Sequence, residues 1–343
     1  MRNFGLPYMG SKSAIAPWVL SCLPPGDTLV DLFCGGCAVT DAAIRSHRYK
    51  RFIFNDINPM MPSAYLKALA GGFKGEDRWI SREDFFRLKD KDAYAALCFS
   101  FGNDLRTYAY SPENEIYKKA CHYAIVFDDW TGLRELLPMV ADAAYQNLEH
   151  VRDRHERRLM FRQAIGRLLK EIDNTGLSAS NLLYHSSSVK ELNKTRPVGK
   201  KVDIKFLINL QNLERLQSLE RLECLECLER LECLERLVPP VVNPFAIDYR
   251  KVPIPEGAVV YCDPPYKGTE KYLVNFDHEV FYQWVLSRPF PVFISEYNMP
   301  ADFSPIGIKQ KISSLSAVSA FNVAEKIFVQ RKYADKYKRD LFL

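Results

Sequence analysis

The sequence predicts an α/β fold built on a mostly parallel sheet and interrupted by a mainly helical insert. Three observations carry this expectation: a strand, turn, helix and strand in succession near the start, two more apolar strands near the end, and a long stretch between them that breaks the α/β rhythm. Thr28-Leu29-Val30-Asp31-Leu32-Phe33 reads as a buried strand that stops at the turn Cys34-Gly35-Gly36-Cys37 and passes into a helix over Ala38–Ile44. Arg51-Phe52-Ile53-Phe54 follows and ends at Asn55-Asp56-Ile57-Asn58-Pro59, where the proline favours a stop. Together these make a βαβ unit. Downstream, Ala258–Cys262 ends at Asp263-Pro264-Pro265-Tyr266, and Pro291–Ser295 ends at Glu296-Tyr297-Asn298. Polar groups thus gather at the carboxyl ends of apolar strands, the edge at which open α/β sheets bind ligands.

A chain of 343 residues holds one large α/β domain with a substantial insertion, or two ordinary domains. The expected division is a sheet domain in two parts, 1–61 and 240–343, a helix-rich insert over 62–206, and a repeat linker over 207–239. Hydrophobic residues at 47% and charged residues at 26% are globular proportions, neither those of a disordered chain nor those of a membrane-embedded one. The net charge of +5 permits a polyanionic partner without demonstrating one. The opening residues Met1–Pro7 lack the apolar core of a signal peptide, and no uncharged apolar run is long enough to span a bilayer, so a soluble, cytoplasmic chain with no membrane partner is expected. Nine cysteines, several inside buried-looking strands or repeats, point to reduced thiols. Two Cys-x-x-Cys pairs, Cys34 with Cys37 and Cys224 with Cys227, raise zinc. A structural site wants four ligands converging from two knuckles, whereas one pair sits in a Gly-rich turn and the other in a repeat that exchanges cysteine with serine or arginine, so no metal is expected.

Between Leu213 and Leu237 leucine recurs at every third position. In an α-helix three residues advance about 300°, so the row falls back about 60° per step and winds around the cylinder, unlike a coiled-coil heptad. The segment reads as an expanded low-complexity linker, helical by composition and dispensable for chemistry, with a short triangular β-solenoid as the alternative.

The strongest chemical signal is Asp263-Pro264-Pro265-Tyr266 directly after an apolar strand. It suits the problem posed by an adenine amino group, whose lone pair is delocalised into the ring and whose two N–H hydrogens therefore need two fixed acceptors. The Asp263 side chain offers one, and the Pro264 carbonyl the other, held still because proline locks φ and has no competing N–H. Tyr266 offers a flat face for a flipped-out base. The Gly-rich turn after Asp31 lets backbone approach a ligand, and Asp56, at the end of the next strand, is placed to accept from ribose hydroxyls. The dinucleotide fingerprint is absent, since Gly35 and Gly36 are adjacent and Cys37 follows. Gly5 to Gly10 with Ser11-Lys12-Ser13 imitates a phosphate-binding loop, but the spacing is wrong and no strand precedes it.

Tyr8-Met9-Gly10-Ser11-Lys12, Asp31-Leu32-Phe33-Cys34-Gly35-Gly36, Asn55-Asp56-Ile57-Asn58 and Asp263-Pro264-Pro265-Tyr266, in that order with a long insert before the last, resemble the Dam-like (class α, D12-type) adenine-N6 DNA methyltransferases, especially phage-type members. The resemblance covers the first sixty or so residues and the last hundred. It implies a Rossmann-like S-adenosylmethionine-dependent methyltransferase sheet with an inserted, mainly helical target recognition domain, acting on double-stranded DNA by base flipping and direct in-line transfer, most simply as a monomer. By the same resemblance Tyr8 and Met9 help hold the methionine part of the cofactor, and Lys12 approaches both cofactor and target base. Asp31, Phe33, Cys34, Gly35 and Gly36 surround the cofactor, Asp56 and Ile57 hold its ribose side, and Asp248 and Tyr249, in the strand segment Phe245–Tyr249, lie beside its adenine ring. Asp263, Pro264, Pro265 and Tyr266 form the catalytic motif, with Asp263 also touching the cofactor. One departure is visible: Cys37 stands where many members have a second glycine.

In the insert, Arg152, Arg154, Arg157, Arg158, Arg162, Arg167 and Lys170 cluster on one expected helix, and Arg106, Lys118 and Lys119 flank Tyr108, Tyr110 and Tyr117, a composition suited to phosphate contacts. A cytosine-C5 enzyme is excluded, because the chain has no Pro-Cys pair to present the nucleophile. The remaining alternatives are a cytosine-N4 DNA methyltransferase, a related enzyme acting on protein glutamine or RNA, and a DNA-binding remnant that has lost catalysis.

Overall fold

The computed structural model describes residues 3–148, 150–174, 218–219, 221–236, 240–266, 276–313 and 321–338. The chain forms two compact units, Met1–Lys74 with Arg230–Leu343, and Gly75–Glu229.

The first unit is an α/β structure around seven strands: β1 (Thr28–Asp31), β2 (Arg51–Asn55), β3 (Val241–Phe245), β4 (Val259–Cys262), β5 (Val292–Glu296), β6 (Phe303–Ser313) and β7 (Phe321–Gln330). Their order is β3-β2-β1-β4-β5-β7-β6. The first five run parallel, and β7 is antiparallel to both β5 and β6. The α/β class read from the sequence is the class observed. Because β1 pairs with β2 on one side and β4 on the other, the direction of winding reverses between β1 and β4, and a crevice opens there at the carboxyl ends.

Burial explains which strands the sequence revealed. β1, β4 and β5 are buried at every residue, as parallel strands covered on both faces must be. Val30, Leu32, Val260, Cys262, Val292 and Ile294 share one core cluster with Phe281, Tyr282, Trp284 and Val285 of the helix His278–Leu286. That helix starts at Asp277, whose side chain accepts from the Val280 N–H. Helices α1 (Ala16–Cys22), α2 (Ala38–Ser46) and α3 (Met60–Leu69) complete the amino-terminal part of the unit.

The second unit is helical over its described residues: α4 (Arg82–Leu88), α5 (Ala93–Cys98), α6 (Pro112–Phe127), α7 (Thr131–Leu136), α8 (Pro138–Leu148), α9 (Arg154–Asn174) and the start of α10 (Glu223–Glu232). Ser81 and Asp92 cap α4 and α5 through their side chains. Its core is aromatic: Trp79 stacks on Tyr110 at 5.5 Å between centroids, beside buried Phe85, Tyr94 and Phe99. His122 lies in the same core, where burial holds its imidazole down at about 4, so it packs there as a neutral ring.

The leucine repeat departs from the linker expectation. It is helical over Glu223–Glu232, which excludes the β-solenoid for those residues, and Leu219, Leu222, Leu225 and Leu228 are all buried. Leucines at a three-residue period turn through about 60° per step, and Cys224 and Cys227 are buried as well, so the helix is enclosed over a broad arc. Leu213 and Leu216 lie outside the described residues.

Several basic residues expected to face phosphate serve this packing instead. Lys118 is buried and donates to the Ser218 and Arg221 carbonyls and to Glu223. Arg157 is buried and donates to the carbonyls of Ala124, Ile125 and Val151 and to Asp128. Arg158 forms a bidentate pair with Glu229 and a further contact to Glu226. Each repays its desolvation with several charge-assisted bonds. Arg154 donates to the Glu76 carbonyl. Arg106, Lys119, Arg152, Arg162, Arg167 and Lys170 remain exposed.

Leu228 is fully buried. Leu228→Ala should destabilise the helical unit by about 2–5 kcal/mol, measured as a shift of its urea unfolding midpoint. A solvated linker would shift by less than about 0.5 kcal/mol.

Candidate active site

The segment before α1 lies along the Gly-rich turn. Leu6 N–H donates to the Gly36 carbonyl at 2.7 Å, and Ser11 N–H returns to the Tyr8 carbonyl at 3.1 Å, a turn that brings Lys12 inward. The Gly-rich turn is tied in its turn to β2, since Cys34 N–H donates to the Asn55 carbonyl at 2.8 Å. Asn55 is buried, donates from its side chain to the Leu32 carbonyl at 3.1 Å and accepts from Ile247 N–H at 3.0 Å. One amide side chain therefore joins the ends of β1, β2 and β3, a role the motif pattern did not suggest.

These elements enclose a cleft of about 520 Å³, a size that suits a small-molecule ligand. Tyr8, Met9, Lys12, Asp31, Phe33, Cys34, Gly35 and Gly36 line it from the amino-terminal segment, β1 and the turn. Asp56, Ile57, Asp248, Tyr249, Asp263 and Pro265 line it from the ends of β2, β3 and β4. Pro264 and Tyr266 are buried beside it and are not part of its lining.

Asp56 is fixed by two backbone donors, Gly35 N–H and Asn58 N–H, each at 2.9 Å. Burial raises its pKa and these two bonds oppose the rise. Gly35 has φ of +45°, and a Cβ there would sit 3.3 Å from the Tyr8 ring, narrowing the cleft. Cys37 begins α2 in the left-handed region at φ of 57°, the conformation a glycine adopts without penalty, and its side chain is wholly buried. Phe33, Tyr249 and Phe276 form an aromatic wall, with Phe33 5.1 Å from Tyr249 and 5.6 Å from Phe276. Asp248 caps Arg250 N–H at 2.9 Å and pairs with the Arg250 guanidinium, which holds its carboxyl below the usual range.

Asp263 follows β4 and meets Lys12, whose Nζ lies 2.9 Å from Oδ1. Burial pushes its carboxyl up to about 6; the Lys12 charge opposes this and Glu325 adds to it. Tyr266 donates its hydroxyl to Glu325, carries Lys12 Nζ at 4.5 Å from its ring centroid and meets the Tyr297 ring at 4.6 Å. Its ring is 7% exposed, so the face read as a stacking platform is covered in this arrangement.

Asp31 is the most perturbed carboxylate in the cleft. Oδ2 accepts from the Thr40 hydroxyl at 2.8 Å, while Oδ1 is buried with no hydrogen-bond partner. Burial pushes its pKa up to about 7 from 3.8. The native state therefore binds more protons than the unfolded chain between about pH 4 and 7, and this group's contribution to stability falls as pH rises through that window. Asp31→Asn should flatten that decline, which thermal melting of the ligand-free protein across the same window measures; an unchanged slope would refute the assignment.

Among the described residues no group of side chains is placed to hold a metal ion, and no helix is long and apolar enough to cross a membrane. No curated protein matches the chain. Residues 8–125 match the family model of the D12 class N6 adenine-specific DNA methyltransferases. That span contains Tyr8, Lys12, Asp31 and Asp56, and the sheet brings Asp263 to the same cleft from beyond it. Over residues 8–125 the chain is thus similar to the D12 class N6 adenine-specific DNA methyltransferases, and the sheet gathers the polar strand ends of that stretch and of β4 around one crevice.

Proposed function

We propose that this cleft binds S-adenosylmethionine along the turn after β1 and the ends of β2 and β3, and presents a flipped-out adenine to Asp263. The observation that carries the reading is the convergence of Asp31, Asp56 and Asp263 on one cleft at the reversal point of the sheet. The donor set fits the cofactor. The partnerless Oδ1 of Asp31 suits an ammonium, Asp56 keeps free lone pairs for ribose hydroxyls after accepting two backbone bonds, and the Phe33, Tyr249 and Phe276 wall suits a purine ring. When bound, S-adenosylmethionine supplies an electrophilic methyl on its sulfonium sulfur.

The chain's own residues then have to orient the amine. The Asp263 carboxylate and the Pro264 carbonyl accept the two N6 hydrogens and turn the nitrogen lone pair toward the methyl group, and the carboxylate gains strength as positive charge grows on nitrogen. The helical unit serves as the target recognition domain, with Arg106, Lys119, Arg152, Arg162, Arg167 and Lys170 exposed for phosphate. The enzyme is taken to work as a monomer.

Single-turnover methylation of an adenine-containing duplex, with the nucleosides read by mass spectrometry, tests this. Asp263→Ala should lower the rate by about a hundredfold to a thousandfold, with cofactor affinity by calorimetry less affected, and Asp263→Asn should retain more activity than alanine. Because the carboxylate is the working form, the parental rate should fall as pH drops through about 6. Asp56→Ala should weaken cofactor binding by about 1.5–3 kcal/mol, and saturating cofactor should restore much of the rate. A parental rate in Asp263→Ala, or N4-methylcytosine as product, would overturn the adenine mechanism.

A further inference from the structure

Glu325 lies on β7, is 2% exposed and belongs to none of the motifs read from the sequence. Its Oε1 lies 3.8 Å from Lys12 Nζ and accepts the Tyr266 hydroxyl. The same ammonium is 2.9 Å from Asp263 Oδ1, so one largely enclosed cation lies against two carboxylates. One of the two is the proposed acceptor for the target amine. Lys12 as placed occupies one lone pair of Asp263 Oδ1 and holds part of the carboxylate's charge, so an N–H arriving at that oxygen meets a weaker acceptor than a free carboxylate. A desolvated ammonium that releases one counter-ion needs another, because an unpaired buried charge is costly. Glu325, at a distance too long for a hydrogen bond but within an ion pair, is placed to receive it after a small rotation of the lysine side chain.

We propose that Glu325 is a positioning residue for Lys12: its carboxylate draws the ammonium off Asp263 Oδ1 when the target amine arrives, leaving Asp263 as the amine acceptor. This rests on the reading of Asp263 given above. The titratable groups that face Asp263 are Lys12 from the amino-terminal segment, Asp31 at the end of β1, Tyr261 and Cys262 of β4, Tyr266 beyond it, Tyr297 after β5 and Glu325 of β7. Burial is the main reason Asp263 titrates high, Lys12 opposes the rise and Glu325 adds to it. Removing the Glu325 charge therefore makes Asp263 more acidic while leaving Lys12 bound to it more tightly.

Glu325→Gln keeps an oxygen for the Tyr266 hydroxyl and tests the charge. In single-turnover methylation of the duplex by the full chain with saturating cofactor, it should slow transfer by about tenfold at neutral pH and move the acid limb of the rate profile to lower pH. Cofactor affinity should stay within about twofold. In a Lys12→Gln background, Glu325→Gln should add less than about twofold, since a residue acting only through Lys12 has nothing left to position. If Glu325→Gln melts too early to assay, Glu325→Asp retains the charge on a shorter arm, and the same cycle with Lys12→Gln applies. Losses that multiply across the two backgrounds, or a parental rate and acid limb in Glu325→Gln, would overturn the role of Glu325 alone. Failure of the parent protein to form N6-methyladenine would overturn the underlying reading, and the inference with it.

Discussion

The buried carboxylate of Asp41 is the interaction on which the sheet unit depends. Its Oδ2 accepts from Gly5 N–H at 3.1 Å and pairs with Arg45 at 2.8 Å; its Oδ1 accepts from the Tyr65 hydroxyl at 3.1 Å and from Arg236 at 2.6 Å. One side chain on α2 thus fastens the amino-terminal segment, α3 and the chain that returns after the helical unit. The position of Lys12 follows from it, because the segment carrying Lys12 is anchored at Gly5. That anchor admits only glycine: φ is +66°, and a Cβ would meet the Gly36 carbonyl oxygen at 2.3 Å. A carboxylate with four partners of this kind is satisfied in place, whereas losing any cationic partner would leave charge stranded in the core.

What the sequence revealed was whatever burial writes into a local pattern. β1, β2, β4 and β5 were legible because their apolar runs end abruptly at polar residues. β3 was not read as a strand over Val241–Phe245: it is an edge strand, largely exposed, with Asn243 and Pro244 in its middle, and an edge is where a proline costs no ladder bond. The pair β6 and β7 was also unread; Pro305 and Gly307 sit at a register shift in β6. Arg157, Arg158 and Lys118 read as phosphate contacts because their partners are backbone carbonyls and acids distant in sequence, which no spacing rule exposes. Glu325 and Asp41 were invisible for the same reason. Each is one acid in an ordinary element, and its meaning comes only from what the fold places against it.

Acidic side chains outnumber basic ones in the cleft lining. Asp31 titrates near 7 and Asp263 near 6, both chiefly through burial, and the Asp56 carboxyl is raised by the same cause. Three carboxylates held above their ordinary range form a site that gains from any cation that enters, which is the character expected of a pocket for a positively charged ligand. Among the described residues of the lining, Lys12 is the cation paired with Asp263, and it is held there by its contacts to Asp263 and Tyr266.

The interleaved strand order bears on how the protein is made. β1 is paired on one side by β2, which follows it closely, and on the other by β4, which is translated only after the whole helical unit. A nascent chain paused within Gly75–Glu229 therefore carries an apolar central strand with one edge unpaired, a template for wrong pairing with a neighbouring chain. The helical unit is contiguous and closes its own core in that interval. Since Asp263 and Glu325 arrive last, a prematurely released fragment lacks both carboxylates that flank Lys12 and leaves the cleft without its β4 wall.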